Sequence, residues 1–430
     1  MKRHFVFLST CALVVGCSEG SQSSEPIEVV VDTFNVALAG AFIPYESERR
    51  QPIVEAIAAS DSDVVCLQEV WNQADKELIR DGALDAYPYS VFFRDDLDTV
   101  VDSPTDQQGQ VPPAPTGVPC PDEQASDGMN IQAQMNQAVD CVMANCSTTP
   151  DATPPEDELG RTTSADCASG SCVGQVAGLL FGDSAQQRCY ACVVTQLPTS
   201  TFGRIRESCA NVVNQDLAFD GQNGVMILSR HPLKNAENWV IPGTWNRRTI
   251  LSATVELPNG TELDTYCNHL TPIYYVQPIN TFHYTGQYGD GMTGAAGWQA
   301  EQELQAEKLI DHVAETSGNR PAVIMGDLNA GRAYPEQEII AEGEATLDLL
   351  ELAFTPAYAA DYGPLCTFCS TNPVAESESS VWIDHILLYN IAAESVTSTA
   401  RIYDEDVVPV DGMTVPLSDH FGIRSVLVVP

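Results

Sequence analysis

The chain has 430 residues, 44% of them hydrophobic and 18% charged, with a net charge of −39. A core of ordinary size is available, and wholesale disorder is excluded. So much negative charge excludes a broad basic surface for wrapping nucleic acid, though not a small polar pocket acting on one phosphate.

Lys2 and Arg3 precede an apolar run from Phe5 to Val15 that ends in Val14-Val15-Gly16-Cys17. The run is too short to span a membrane and has the layout of an export signal over residues 1–16. Its end resembles a bacterial lipobox, which implies lipidation of Cys17 and a small polar tether over 17–26. The expected location is an outer-membrane or cell-surface lipoprotein, or a secreted protein. Membrane association would then run through the lipidated N-terminus. Of 14 cysteines, twelve follow Cys17, and exported chains oxidise such cysteines to disulfides.

Glu28 to Phe34 alternates as a strand and delivers Asn35. Apolar residues at helical spacing between Tyr45 and Ser60 predict a helix, and Val64 to Leu67 predicts a second strand ending in Gln68-Glu69. Ser90 to Arg94 reads as a short strand. Residues 96–215 change texture: Pro, Gly, Asp, Ser and Thr dominate, and eight cysteines fall there. This block reads as a disulfide-rich insertion in a domain spanning 27–430. Cys189-x-x-Cys192 with Cys366-x-x-Cys369 has zinc-ligand spacing, but the exported context favours disulfides.

Regular structure resumes with the strand Val225 to Leu228, followed by Arg230, which a turn would leave exposed. Arg248 to Leu257 and Glu262 to Cys267 form a hairpin around Pro258-Asn259-Gly260, leading to Asn268-His269. A loop from Thr271 to Gly297, long enough for a rim or lid, precedes a helix from Trp298 to Thr316. The strand Ala322 to Met325 meets Gly326 and delivers Asp327 and Asn329, which an extended chain would point to one side. A helix around Leu347 to Ala353, a strand from Val381 to Tyr389 carrying Asp384-His385, and a last strand from Ile423 to Val429 after Ser418-Asp419-His420 complete the chain. His385 reads as a packing or surface residue, and His231, His283 and His312 as structural or solvated.

Strand ends thus carry Asn35, Glu69, His269, Asp327, Asn329, Asp419 and His420. Oxygen ligands such as Glu69 suit Mg²⁺, with Mn²⁺ as the alternative, and an imidazole with a carboxylate partner suits acid–base work near neutral pH. A divalent cation and a base are what hydrolysis of a phosphoester by water requires.

In that order, Asn35, Gln68-Glu69, Gly326-Asp327-x-Asn329, Asp384 and Ser418-Asp419-His420 resemble the endonuclease/exonuclease/phosphatase superfamily over residues 27–95 and 220–430. The resemblance implies a four-layer α/β sandwich, two packed mixed β-sheets flanked by helices, interrupted by the cysteine-rich insertion. It implies a metal-dependent phosphodiesterase in which Glu69 is the main metal ligand, with Asn35 beside it and Asp419 completing the metal or water shell. Asp327 would position or deprotonate the water and Asn329 would hold the phosphate. His420 would be general base or phosphate contact, oriented by Asp384, and His269 matches the second family histidine. Cys267, in the place of a more usual Asn, would pair with Cys66 or stay a buried thiol. The stretch Asn223 to Arg230, Tyr87-Pro88-Tyr89 and Glu48-Arg49-Arg50 resemble neutral sphingomyelinases, which implies a phospholipid headgroup as substrate. A deoxyribonuclease-like enzyme acting on nucleic acid is the alternative, and a non-catalytic surface lipoprotein a third reading.

Overall fold

The computed structural model describes residues 25–39, 43–92, 105–106, 118–146, 171–196, 201–211, 219, 222–244, 246–274, 288–292 and 294–429. The expected leader, Cys17, Cys167, His283 and most of the expected rim loop lie outside them. In chain order the described elements begin with β1 (Ile27–Leu38), α1 (Glu46–Ala59), β2 (Val64–Val70), α2 (Gln73–Gly82), β3 (Tyr89–Val91) and β4 (Thr105–Asp106). The helices α3 (Ile131–Cys146), α4 (Val173–Leu180), α5 (Ser184–Gln196) and α6 (Phe202–Cys209) follow. Next come β5 (Met226–Ser229), β6 (Leu233–Ile241), β7 (Arg248–Glu256), β8 (Glu262–His269), α7 (Gly294–Ser317), β9 (Ala322–Asp327), α8 (Glu344–Ala353) and β10 (Thr355–Pro356). The chain closes with β11 (Asp384–Tyr389), β12 (Val396–Ile402), β13 (Val408–Val410), β14 (Met413–Val415) and β15 (Gly422–Val429).

Two mixed sheets form, in the orders β12-β15-β1-β2-β5-β3 and β10-β11-β9-β8-β7-β6-β4. Strand alternation explains why they pack face to face. Val29 and Val31 of β1 join Cys66 and Ile227 against Ala253, Cys267 and Met325 of the other sheet. Phe34 and Val36 of the same strand point outward and, with Val65, Leu67 and Leu228, take Ile53, Val54, Ile57 and Ile79 of α1 and α2. On the far side, Tyr266, Ile324 and Leu387 receive Ala306, Leu309 and Val313 of α7 and Leu347 and Leu350 of α8. Each buried Val, Leu, Ile, Phe or Met side chain here contributes about 1.5–3 kcal/mol. The result is the four-layer α/β sandwich. Cys66 and Cys267 are joined in a disulfide that staples one sheet to the other.

Several elements depart from the sequence reading. Helix α2 and strands β4, β6, β10, β12, β13 and β14 are not among the expected elements; β6 carries a register shift and a left-handed Asn235, which break its alternation. Strand β11 begins at Asp384 rather than Val381, because Val381 pairs instead with Phe368. The described part of the cysteine-rich block from 118 to 211 is mainly helical. Ile131, Met135, Val139, Leu179, Phe202 and Ile205 form its own small core, cross-linked by Cys120–Cys189, Cys141–Cys172 and Cys192–Cys209. Cys366 and Cys369 also pair, so the two Cys-x-x-Cys motifs do not meet around zinc. Tyr190 of α5 packs against Ile273 and Trp298, which sets this block beside the segment that leaves β8.

Candidate active site

The site begins with an irregularity in β1 and β2. These strands run in parallel register up to Asn35 opposite Gln68, and the register then shifts before Leu38 opposite Val70. Within the shift, Ala37 and Glu69 both adopt left-handed backbone, with φ of 49° and 57°. Each such residue costs about 1–3 kcal/mol and persists only where surroundings hold it. Arg49, fully buried on α1, supplies part of that hold. Its guanidinium donates to the carbonyls of Ala37 (2.7 Å), Val36 (3.1 Å), Pro44 (2.9 Å) and Leu417 (2.9 Å). The bulge brings the Glu69 carboxylate to within 3.3 Å of Asn35 Nδ2.

The second sheet supplies one rung. His269 on β8 lies opposite Asp327 on β9, and Asp327 lies opposite Asp384 on β11. Cross-strand partners share a face, so an imidazole and two carboxylates stand side by side. Gly326, one residue earlier, lies against β8; a Cβ there would run into the Asn268 carbonyl, which accounts for the glycine. Asn329 is not extended: its φ is 47°, its N–H donates to Asp327 Oδ1 (2.9 Å), and its side chain donates to the Leu270 carbonyl (2.9 Å). The chain has turned at Asn329, so the extended geometry behind the expectation of a shared direction does not apply there. Gln302 of α7 fixes that turn, donating to the carbonyls of Asn329 and Thr271, both at 2.7 Å.

The loop before β15 closes the site. Ser418 Oγ donates to the Asn35 carbonyl (2.7 Å) and contacts Asp419 Oδ1 (3.1 Å). His420 Nδ1 pairs with Asp384 Oδ2 at 2.8 Å, and its Nε2 faces Asp327 Oδ2 at 3.8 Å. His269 Nε2 lies 3.5 Å from the same Asp327 oxygen and 3.9 Å from Glu69 Oε1. Asn35 Nδ2 donates to Asp327 Oδ2 (3.0 Å), while its Oδ1 accepts from the Ala37 N–H (3.1 Å). Asn35 thus meets the carboxylates as a donor. Asp327, Asp384 and His420 hold potential ligand atoms within 4.8 Å of one another, and Asp384 Oδ1 is buried without a hydrogen bond.

Electrostatics separates the two imidazoles. Burial, with Arg248 nearby, drives the His269 pKa well below its ordinary value. Burial opposes charge on His420 too, but Asp384 and Asp327 outweigh it and raise its pKa well above the ordinary value. Burial and then Asp384 push Asp327 up to about 8. Burial and then Asp419 raise Glu69. The surroundings thus favour the neutral form of His269 and the charged form of His420 on either side of Asp327, with titration ranges pushed apart as acid–base chemistry requires. Crowded, partly unsatisfied carboxylate oxygens also fit a hard divalent cation.

Residues that the sequence reading does not single out border the same site. Arg248 at the start of β7 is buried; it donates to the His269 carbonyl (3.3 Å) and lies 5.9 Å from the Trp71 ring centre. Trp71 stacks on Phe219 at 4.6 Å and approaches His269 at 6.0 Å. A buried Trp two residues beyond Glu69 was the available signal for this wall. Arg230 is exposed beyond the opposite end of β5, donating to the Ser60 carbonyl (2.6 Å), and does not reach the site. His385 is buried, bonded to the Ala330 carbonyl (2.7 Å) and the Tyr358 hydroxyl (2.5 Å). His231 pairs with Asp63 at 2.8 Å. His312 packs on Trp239 at 4.0 Å, and burial lowers its pKa to about 4.

Comparison with known proteins places this geometry. The model of the Endonuclease/Exonuclease/phosphatase family matches residues 33–420. A Drosophila melanogaster protein named as a neutral sphingomyelinase is 44% identical over 55 residues, which is 12% of this chain and 12% of that protein. Among solved structures, an endonuclease/exonuclease/phosphatase from Beutenbergia cavernae is 17% identical with a TM-score of 0.46, covering 94% of this chain and 72% of that one. Sphingomyelinase C from Streptomyces griseocarneus is 15% identical with a TM-score of 0.45, covering 93% and 99%. Beta toxin from Staphylococcus aureus is 13% identical with a TM-score of 0.49, covering 92% and 99%.

Proposed function

The chain belongs to the Endonuclease/Exonuclease/phosphatase family, and from that premise we propose that it is a Mg²⁺-dependent phosphodiesterase whose preferred substrate is a phospholipid headgroup of the sphingomyelin type. The observation that carries the hydrolytic reading is the convergence of Asn35, Glu69, His269, Asp327, Asp384 and His420, from distant parts of both sheets, on one buried centre. The local match to a protein named as a neutral sphingomyelinase supports the choice of substrate. So does the net charge of −39, which opposes a polyanionic duplex and is neutral toward a zwitterionic headgroup.

Glu69 and Asp419 would hold the cation, with Asn35 orienting the Glu69 carboxylate. When bound, the cation neutralises phosphate charge and polarises the phosphorus–oxygen bonds. Asp327, raised to about 8, is matched to take a proton from the attacking water as its oxygen bonds to phosphorus and the ester oxygen departs. His420, held protonated by its acids, contacts the anionic phosphate and can deliver a proton to the departing oxygen. Asp384 fixes the His420 ring through Nδ1, leaving Nε2 to face the reaction. Neutral His269 donates or accepts without adding charge, and Asn329 shapes the turn on which the phosphate rests.

Purified protein is assayed on sphingomyelin vesicles and on DNA, with Mg²⁺ and with EDTA. Phosphocholine release that EDTA abolishes is the expected result. DNA cleavage without phosphocholine release would replace the lipid reading with a nuclease. The export signal and Cys17 complete the proposal as a surface-anchored lipoprotein. Cys17→Ser should move the protein from the membrane to the soluble fraction, and an unchanged membrane fraction would contradict the anchor.

A further inference from the structure

Residues 366–369 form a four-residue loop closed by the Cys366–Cys369 disulfide. Nothing in the chemistry above uses it, yet it touches both members of the Asp384–His420 pair. Thr367 is fully buried, and its Oγ1 accepts hydrogen bonds from the backbone N–H groups of Ile383 (3.1 Å) and Asp384 (3.2 Å). Its carbonyl accepts from the Phe421 N–H (2.8 Å). Phe368 forms antiparallel bridges to Val381 and to His420, and its ring centre lies 5.1 Å from that of His420. Outside the loop, Arg401 donates to the Cys366 carbonyl (3.1 Å) and sits 4.7 Å over the Phe421 ring.

Asp384 opens β11 in one sheet, and His420 precedes β15 in the other. Their 2.8 Å contact therefore depends on how the sheets are held at this edge. The disulfide loop spans that gap, gripping the backbone of one residue and the ring and backbone of the other. We propose that the Cys366–Cys369 loop is a clasp that positions the Asp384–His420 pair, with Thr367 setting the carboxylate and Phe368 setting the imidazole. Thr367, fully buried and bonded to backbone N–H groups, and Phe368, packed on the His420 ring, act through that pair and are positioning residues. The inference rests on the reading that this pair serves phosphodiester hydrolysis, but its geometry can be tested apart from activity.

A threonine hydroxyl accepting two buried N–H groups is replaceable by serine but not by isosteric valine, which leaves both donors unsatisfied. The full chain is compared with Thr367→Val, Thr367→Ser and the double variant Cys366→Ser/Cys369→Ser. Mutation is preferable to reductant, which would also open Cys66–Cys267. One readout is kcat and KM on bis-(p-nitrophenyl) phosphate with Mg²⁺. The other is the downfield proton resonance of the His420–Asp384 hydrogen bond, identified by its loss in His420→Gln. Thr367→Val should lower kcat by about tenfold or more with KM within about twofold, and should shift or broaden the resonance. Thr367→Ser should restore both, and the double variant should fall between. A folded Thr367→Val with unchanged kcat and resonance would overturn the clasp. Should Thr367→Val fail to fold, the double variant decides: unchanged readouts there overturn the proposal, and a shifted resonance with reduced kcat supports it. Wild-type protein inactive on every phosphodiester would overturn the hydrolytic reading alone. The resonance would then decide the clasp by itself.

Discussion

Two groups of acids flank β2, and they differ in their partners. Before the strand, Asp32, Asp61 and Asp63 meet cations or imidazole: Arg424 pairs with Asp32 at 2.8 Å and with Asp61 at 2.6 Å, and His231 pairs with Asp63 at 2.8 Å. At its far end, Glu69, Asp327, Asp384 and Asp419 crowd together, and among the described residues they form no ion pair with lysine or arginine. Among the described residues, only His269 and His420 approach them as ion-pair partners. The pKa directions follow: Arg424 lowers Asp61, whereas burial and neighbouring acids raise Glu69 and Asp327. Acids matched by arginine are structural. Acids left facing one another are poised for a cation and a proton.

The largest effect that separates the groups is kinetic. His420→Gln should lower kcat by about 10²–10⁴-fold in the folded fraction, measured on a soluble phosphodiester. A loss under tenfold would remove His420 from the chemistry. The matching change on the other side is Arg424→Leu, which strands buried Asp32 and should cost about 3–5 kcal/mol of stability while the folded fraction keeps its kcat. Chemical denaturation with a parallel assay checks both halves.

A smaller effect is pH-dependent, and its sign differs between the groups. The folded pKa of Asp327 lies above its unfolded value, so its contribution to stability is present at low pH and lost as pH rises from about 4 to about 8. Asp61 is lowered, so its contribution is present above about pH 4 and lost as pH falls. In EDTA, Asp327→Asn should therefore raise the melting temperature at pH 8 more than at pH 5. Addition of Mg²⁺ should stabilise the wild type and narrow that gap. A variant that melts below the wild type at pH 8 in EDTA would show that no repulsion is stored there. Smallest of all is Arg230→Ala, exposed at the structural end. It should change stability by less than about 0.5 kcal/mol and leave kcat within about twofold.

The same contrast explains what was legible in the sequence. Polar residues after an apolar strand are visible as a string, so Asn35, Glu69, His269, Asp327 and His420 stood out. Asp61-Ser62-Asp63 and Ser229-Arg230-His231 stand out equally, and nothing local tells the groups apart. The difference lies in Arg424, which is far from its acids in sequence and reaches them through strand pairing. Arg49 hid for a related reason: on a helix it reads as surface charge, yet it is buried and bonded to carbonyls brought from 36, 37 and 417. For Asn329 the period-two argument does not apply, because it assumes an extended chain and the backbone there is left-handed. In the cysteine-rich block, Ile131, Met135, Val139 and Val142 do repeat at helical spacing. The Pro- and Ser-rich composition of the whole block masked that local period.

The most direct measurement is hydrolysis of bis-(p-nitrophenyl) phosphate in one Mg²⁺ buffer by wild type, Asp327→Asn and Asp32→Asn, each corrected for folded fraction. If the acids beyond β2 are the catalytic centre, Asp327→Asn loses about 10³-fold or more in kcat while Asp32→Asn keeps the wild-type rate. Asp327→Asn turning over within a few-fold of wild type, or Asp32→Asn losing as much as Asp327→Asn, would contradict it.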